Sequence, residues 1–287
     1  MPANSALRRA TKKVLHSFLG DSSYKYFQAI SKAKDIRNGS WSEPELDLIP
    51  FAMRTGESAL DLGANFGLYS YHLSRVLEGS GRVYAFEPVP FTFATLRLVS
   101  RLLRFRNVTL FEKGCGDKAG KISFEVPVQE SGAFSTGQAY IGGRRDDREG
   151  KETQVRWAGT REVVCEVVRL DDFLPAIDEL SLIKCDVEGA ELFAFRGAKE
   201  IIARHLPTVI CEINPWFLEG FGIQLEELTG FFFEQGYGLY YYRKDHGQGA
   251  LIPVKVAEVV EDNYIFIHPQ RLDRFASILA NEDKKDA

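Results

Sequence analysis

Two short segments carry residue types and spacings suited to holding a ligand. Asp61-Leu62-Gly63-Ala64-Asn65-Phe66-Gly67 closes an apolar run and leads into a helical pattern at Leu68–Glu78. Glycines at such a junction allow positive φ or close backbone approach, and the helix-start N–H groups stay free to meet a polar ligand. The spacing is G-x-x-x-G rather than G-x-G-x-x-G, and no G-x-x-x-x-G-K-[ST] occurs, which argues against dinucleotides and nucleoside triphosphates. Asp61 also sets a carboxylate where a pyrophosphate would lie, so the turn favours a ligand with an ammonium group. Glu87 follows Asp61 by twenty-six residues and ends the next apolar run as Phe86-Glu87-Pro88. Its two oxygens suit the two ribose hydroxyls of an adenosine. Adenosine plus ammonium describes S-adenosylmethionine, and Asp61, Gly63, Asn65, Gly67, Glu87 and Pro88 become its expected binding residues.

A third cluster, Asp186-Val187-Glu188-Gly189, ends a later apolar run. A hydroxyl attacking a sulfonium methyl must lose its proton, and a carboxylate within hydrogen-bond reach can take it. Asp186 and Glu188 are the catalytic candidates, while Glu191, in the following helical pattern, reads as structural. The Asp/Asn-Pro-Pro-aromatic motif of nucleic-acid amino-methyltransferases is absent at this place. Glu212 and Asn214 lie two apart in an extended pattern and point the same way. With Asp186 they would make an oxygen-rich set for Mg²⁺. The five histidines have no catalytic setting, and Trp216-Phe217 and Tyr240-Tyr241-Tyr242 read as packing residues.

These residues need strands to place them. Runs at Ser58–Leu62, Arg82–Glu87, Val108–Lys113, Leu182–Asp186, Thr208–Glu212, Gly238–Tyr242 and Asn263–Ile267 alternate with helical patterns, mostly at the length of a strand plus crossover helix. Runs such as Leu182-Ile183-Lys184-Cys185 lack alternation, as a sheet covered on both faces requires. The expectation is an α/β fold: a seven-stranded, mostly parallel, doubly wound sheet. Val108 to Leu182 spans 74 residues and breaks the rhythm. Lys121–Val126 and Val163–Arg169 read as an inserted β-hairpin after the third strand, bracketing a polar stretch, Gln129–Thr160, expected to act as a substrate lid. Residues 127–162 are thus a substrate insertion within a catalytic domain of residues 42–287. Ser42-Glu43-Pro44-Glu45 reads as a capping box that starts a helix reaching Met53.

Residues 1–41 form a basic helical extension, with Leu7, Val14, Leu15 and Phe18 at helical spacing among Arg8, Arg9, Lys12 and Lys13. Such a helix can dock on its own domain or touch an anionic membrane peripherally. The net charge of −4 divides into +6 for residues 1–38 and −10 for the rest. An acidic body disfavours a nucleic-acid substrate. The 287 residues, 45% hydrophobic and 26% charged, suit one large globular domain. No run reaches the roughly 18 apolar residues of a membrane span, and no secretory signal is evident, which points to a cytoplasmic protein. Cys115, Cys165, Cys185 and Cys211 have no C-x-x-C spacing and are expected as buried thiols. Two other classes remain readable: an NAD-dependent oxidoreductase, and a non-catalytic membrane- or RNA-binding protein using the basic helix.

Leu60-Asp61-Leu62-Gly63-Ala64-Asn65-Phe66-Gly67, Ala85-Phe86-Glu87-Pro88, Leu170-Asp171-Asp172-Phe173 and Ile183-Lys184-Cys185-Asp186-Val187-Glu188-Gly189-Ala190-Glu191 together resemble the FkbM methyltransferase family. The resemblance spans roughly residues 42–270 and leaves out the N-terminal extension. It implies a Rossmann-like class I S-adenosylmethionine-dependent O-methyltransferase acting on a hydroxyl of a small molecule, a glycan or a polyketide. Gly114-Cys115-Gly116-Asp117 matches the family's turn that holds adenine, which adds Cys115 and Asp117 to the cofactor residues.

Overall fold

A strand buried on both faces is mostly apolar along its length, and the two central runs of this chain are, apart from Ser58, Asp61, Ser181 and Lys184. In the computed structural model, which describes residues 24–77, 79–129, 140–141, 157–245 and 248–280, every residue of β1 (Ser58–Leu62) and β8 (Leu180–Cys185) is buried. Between them lie α3 (Leu68–Leu77), β2 (Arg82–Phe86), α4 (Pro90–Leu103), β3 (Val108–Phe111), β4 (Gly114–Cys115), β5 (Gly120–Gln129), β6 (Tyr140–Ile141), β7 (Trp157–Val168) and α5 (Leu170–Phe173). After β8 come α6 (Glu191–Arg196), α7 (Lys199–His205), β9 (Thr208–Ile213), α8 (Pro215–Gly220) and α9 (Leu225–Phe233). The chain closes with β10 (Gly238–Asp245), β11 (Gln248–Pro253) and β12 (Asp262–Ile267).

The main sheet runs β11-β10-β12-β9-β8-β1-β2-β3. Its five strands from β3 to β9 pair in parallel, and β12, β10 and β11 are antiparallel additions. All seven expected strands are present, together with an eighth. The additional edge strand β11 reads Gln-Gly-Ala-Leu-Ile-Pro, a composition too poor in β-branched and aromatic residues to announce itself. The insertion after β3 forms a second sheet, β4-β7-β5-β6, in which the expected hairpin is β5 paired with β7 over ten residues. The pattern Ser5–Leu19 and most of Gln129–Thr160 lie outside the described residues. Among the described residues, no helix is long and apolar enough to cross a membrane.

Alternation within each strand divides the core in two. Leu60, Leu62, Ile183 and Val209 face α6, α7 and α9, where Leu192, Phe195, Ile202 and Phe232 are buried. Ala59, Leu182, Ile210 and Ile265 face the other side, against Leu73 and Leu77 of α3. That side is completed by a helix at residues 24–37, called α1, through Ala29, Ala33 and Ile36. Residues 24–37, placed in the N-terminal extension by their sequence, thus pack into the core of the sheet.

The expected capping box does not form. Glu43 rather than Ser42 is the N-cap, without a side-chain bond, and the segment is a 3-10 turn (Pro44–Leu48) followed by α2 (Ile49–Ala52). Glu45 points inward instead, 2% exposed, where its carboxylate accepts from Asn263 Nδ2 at 3.5 Å.

Glu57, just before β1, ties the C-terminal segment to the sheet. Its carboxylate accepts from Arg274 Nη2 at 2.7 Å, Arg274 Nη1 at 3.0 Å and the Arg54 N–H at 2.6 Å. Burial alone would raise its pKa, but these donors outweigh it and hold the carboxyl below its ordinary range. A depressed folded-state pKa contributes stability above the unfolded value, near pH 4.5, that is lost as pH falls through the folded value. Glu57→Gln should destabilise by about 2 kcal/mol at pH 7, because the half-buried Arg274 loses its counter-charge. Urea melts at pH 7 and pH 3.5 check this: the wild-type advantage should shrink at the lower pH, and an equal gap at both would exclude a charge effect.

Candidate functional site

In open α/β sheets the carboxyl ends of the parallel strands form one edge where ligands bind. At that edge a cavity of about 420 Å³ opens, within the usual range of small-ligand sites. Gly63, Asn65, Glu87 and Pro88 line one side of it, Cys115 and Asp117 another, and Asp186 and Glu188 the end beyond β8. Asp61 and Gly67 are not among its lining residues.

The turn after β1 explains both exceptions. Gly63 has φ 80°, and a Cβ there would lie 1.7 Å from the carbonyl oxygen of Asp186. Only glycine lets the turn close against the end of β8. Gly67, at φ 87°, sits against Leu96 and Phe105, so it serves the packing of α3 on α4. Asp61 lies under the turn, 2% exposed, and its Oδ2 accepts from Ser70 Oγ at 2.5 Å. Burial raises its pKa to about 6, against the opposing pull of Ser70 and Lys184. Asp61 is therefore a charge beneath the floor, not a wall residue. Gly63→Val would drive a side chain into the carbonyl oxygen of Asp186. The substitution should cost about 3 kcal/mol or more through overlap and positive-φ strain, read as a lower midpoint in a urea melt. An unchanged midpoint would contradict this geometry.

Glu87 is held in place by the backbone. Its Oε2 accepts from the Asn65 N–H at 3.0 Å and its Oε1 from the Val89 N–H at 2.9 Å. Each oxygen keeps a further lone pair. Burial raises its pKa to about 7 in spite of those two donors. The buried oxygen Oδ1 of Asn65, at φ 48°, finds no donor among the described residues. Cys115 is 8% exposed and burial pushes its thiol up, so it is a neutral part of the wall. All four cysteines are free and buried.

Beyond β8, Asp186, Glu188 and Glu212 bring carboxylate oxygens within 4.8 Å of one another. Burial, then the charge of Asp186, pushes Glu188 well up and Glu212 to about 9. Carboxylates this close share protons or neutralise a cation. Glu188 turns toward the row through a left-handed backbone, φ 55°, that Gly189 continues at φ 100°. Glu191 stabilises the turn: its Oε1 accepts from the N–H groups of Val187 and Gly189, both at 3.1 Å. Asn214 does not join the row. Its Oδ1 caps α8, accepting from the N–H of Trp216 at 3.0 Å and of Phe217 at 3.3 Å. The Mg²⁺ set Asp186, Glu212 and Asn214 expected from spacing is thus not assembled, and Glu188 stands in the third place.

Several residues at the site have no motif to reveal them. Phe193 and Phe221 face each other on the cavity wall with centroids 6.1 Å apart. Lys113 also lines it and pairs with Glu166 at 2.7 Å. Asp171, of the Leu170–Phe173 motif, does not line the cavity and instead caps α7, accepting from the N–H groups of Glu200 and Ile201. Trp41 meets Phe66 of the glycine turn edge-on, and the Lys32 ammonium lies 4.0 Å from the Trp41 ring centroid. The one sequence signal for Lys184 was a charged residue inside an otherwise apolar run.

A family model described as the methyltransferase FkbM domain matches residues 61–239. Methyltransferase 1 of Beauveria bassiana (strain ARSEF 2860) is 29% identical over 161 residues, covering 54% of this chain and 63% of that protein. Methyltransferase sdnD of Sordaria araneosa is 28% identical over 195 residues, covering 59% and 70%. Among solved structures, a methyltransferase FkbM from Methylobacillus flagellatus KT aligns with a TM-score of 0.46 and 20% identity. That alignment takes in 79% of this chain and 50% of the other. The matched parts therefore span from half to about 70% of these relatives' lengths.

Proposed function

Because the chain belongs to the FkbM methyltransferase domain family, we propose that it is an S-adenosylmethionine-dependent O-methyltransferase acting on a hydroxyl of a small molecule or glycan. The observation that carries this reading is Glu87. Its carboxylate lines the cavity, is fixed by two backbone donors and keeps a free lone pair on each oxygen. That is the acceptor pair a ribose diol needs. The orphaned Asn65 oxygen offers an acceptor beside it for an ammonium group, and the charge of Asp61 lies under the same turn. Gly63, Gly67 and Pro88 shape the backbone around these groups, while Cys115 and Asp117 border the adenine end.

S-adenosylmethionine, when bound, supplies a methyl group on a sulfonium sulfur that leaves as a neutral thioether. The chain's own residues orient the acceptor and receive its proton. Asp186 or Glu188 takes the hydroxyl proton as the oxygen lone pair forms the new C–O bond. Glu212 shares the proton within the row. Phe193 and Phe221 border the same cavity and help exclude water from it. Most of the rate enhancement comes from alignment of the two reactants.

The test is incubation of the protein with methyl-labelled S-adenosylmethionine and a small-molecule extract of its source cells. Label should appear in a base-stable methyl ether. Label in an amine, an ester or a carbon-bound methyl would contradict methylation of a hydroxyl.

A further inference from the structure

Lys184 is 2% exposed, one residue before the end of β8, a position where a charge is costly unless it is matched. Strand register shows what matches it. Asp61 is its neighbour on β1, and Asn263 on β12 pairs with Glu212 on β9. Alternation puts Asp61, Lys184, Asp186, Glu212 and Asn263 on the face that carries α1 and α3. The Lys184 Nζ donates to Asn263 Oδ1 at 2.7 Å, and Asn263 passes the contact on to Glu45. The same nitrogen lies 5.0 Å from the centroid of the Tyr69 ring on α3. Burial would pull the ammonium toward neutrality, but the charges of Asp186, Glu43 and Glu212 reverse that and hold it protonated. Lys184 does not line the cavity.

We propose that Lys184 is a positioning residue for the cofactor: the buried cation that keeps Asp61 ionised beneath the glycine turn. The inference rests on the S-adenosylmethionine reading. Asp61 is faced by Ser70 of α3, by Lys184 of β8, by Asp186 beyond it and by Glu87 beyond β2. Of these, Lys184 is the cation and Ser70 the hydroxyl donor, while Asp186 and Glu87 oppose ionisation. Without Lys184, Asp61 takes up a proton near neutrality and the attraction for the ligand's ammonium weakens. Ser70 then donates to a neutral acid, and Asn263 Oδ1 loses its ammonium donor.

The probe is S-adenosylhomocysteine, titrated calorimetrically into the full chain at pH 7 and pH 9. Lys184→Met should weaken binding about tenfold relative to wild type at pH 7, as follows when only about a tenth of Asp61 stays ionised without its cation. At pH 9 Asp61 ionises unaided, and the variant should come within about threefold of wild type. Lys184→Arg should bind like wild type at both values. Asp61→Asn should reproduce the loss without recovery, and adding Lys184→Met to it should cost little more. Asn263→Leu, which removes the acceptor that anchors Nζ, should give the same direction and the same recovery; it serves as the test if Lys184→Met fails to fold. Unchanged affinity, a loss equal at both pH values, or additive losses in the double variant would overturn the proposal. Absence of binding by the wild type contradicts the cofactor reading itself and is scored first.

Discussion

Glu87→Ala should weaken S-adenosylhomocysteine binding by at least about a hundredfold, from two lost charged hydrogen bonds at about 1.5 to 3 kcal/mol each. The variant also leaves the N–H groups of Asn65 and Val89 without their acceptor, which loosens the turn and adds to the loss. Glu87→Gln is no gentler, because its NH₂ must face one of those two donors. A pH effect follows from the same carboxylate. Ribose hydroxyls donate to its charged form, while burial holds its pKa at about 7 in the free protein. Binding therefore releases a proton near neutrality, and affinity should rise from pH 6 to pH 8. Calorimetry in buffers of different ionisation enthalpy reads that release directly. A Glu87→Ala protein with normal melting and normal affinity would remove Glu87 from the site.

Asp186→Asn should leave S-adenosylhomocysteine affinity within a few-fold and slow single-turnover methyl transfer by about 10² to 10⁴-fold, the usual contribution of a positioned base. Glu188→Gln should slow it less if Asp186 is the direct acceptor, and more if the roles are reversed. The row gives the wild-type pH profile its sign. Glu188 is pushed well up and Glu212 to about 9, so the rate should climb as pH rises from 6 toward 9 and the row loses its shared protons. Glu212→Gln removes one of the groups that hold those protons and should shift the climb to lower pH. Activity that collapses with a chelator and returns with Mg²⁺ would assign the row to a cation instead. Normal single-turnover rates in both carboxamide variants, with no chelator effect, would leave positioning alone as the source of rate.

Much of this architecture is legible in the amino-acid order, for identifiable reasons. The parallel strands are buried on both faces, so Ser58–Leu62 and Leu182–Cys185 stand out as mostly apolar runs without strict alternation, broken only by Ser58, Asp61 and Lys184. β11 does not, because an edge strand made of Gln, Gly, Ala and Pro with only Leu251 and Ile252 carries little β signal. Ser42-x-x-Glu45 has the form of a capping box, but Asn263, more than two hundred residues away, draws the Glu45 carboxylate inward. No local rule contains that contact. At the site, Glu87 and Asp186 are visible because both sit just past strand ends. That Asp61 lies under the floor depends on Ser70 reaching it from α3. Asn214 and Glu212 share a face by spacing, yet the helix begun by Pro215 claims the Asn214 oxygen. Lys184 gains its meaning only from register, which brings Asp61 beside it and Asn263 within reach.

The central claim is that the cavity at the strand ends takes S-adenosylmethionine, and calorimetric titration of the wild-type chain with S-adenosylhomocysteine tests it most directly. The account predicts one-to-one binding, accompanied by proton release near pH 7 and lost in Glu87→Ala. Absence of binding to S-adenosylhomocysteine, together with saturable binding of NAD at the same cavity, would contradict it.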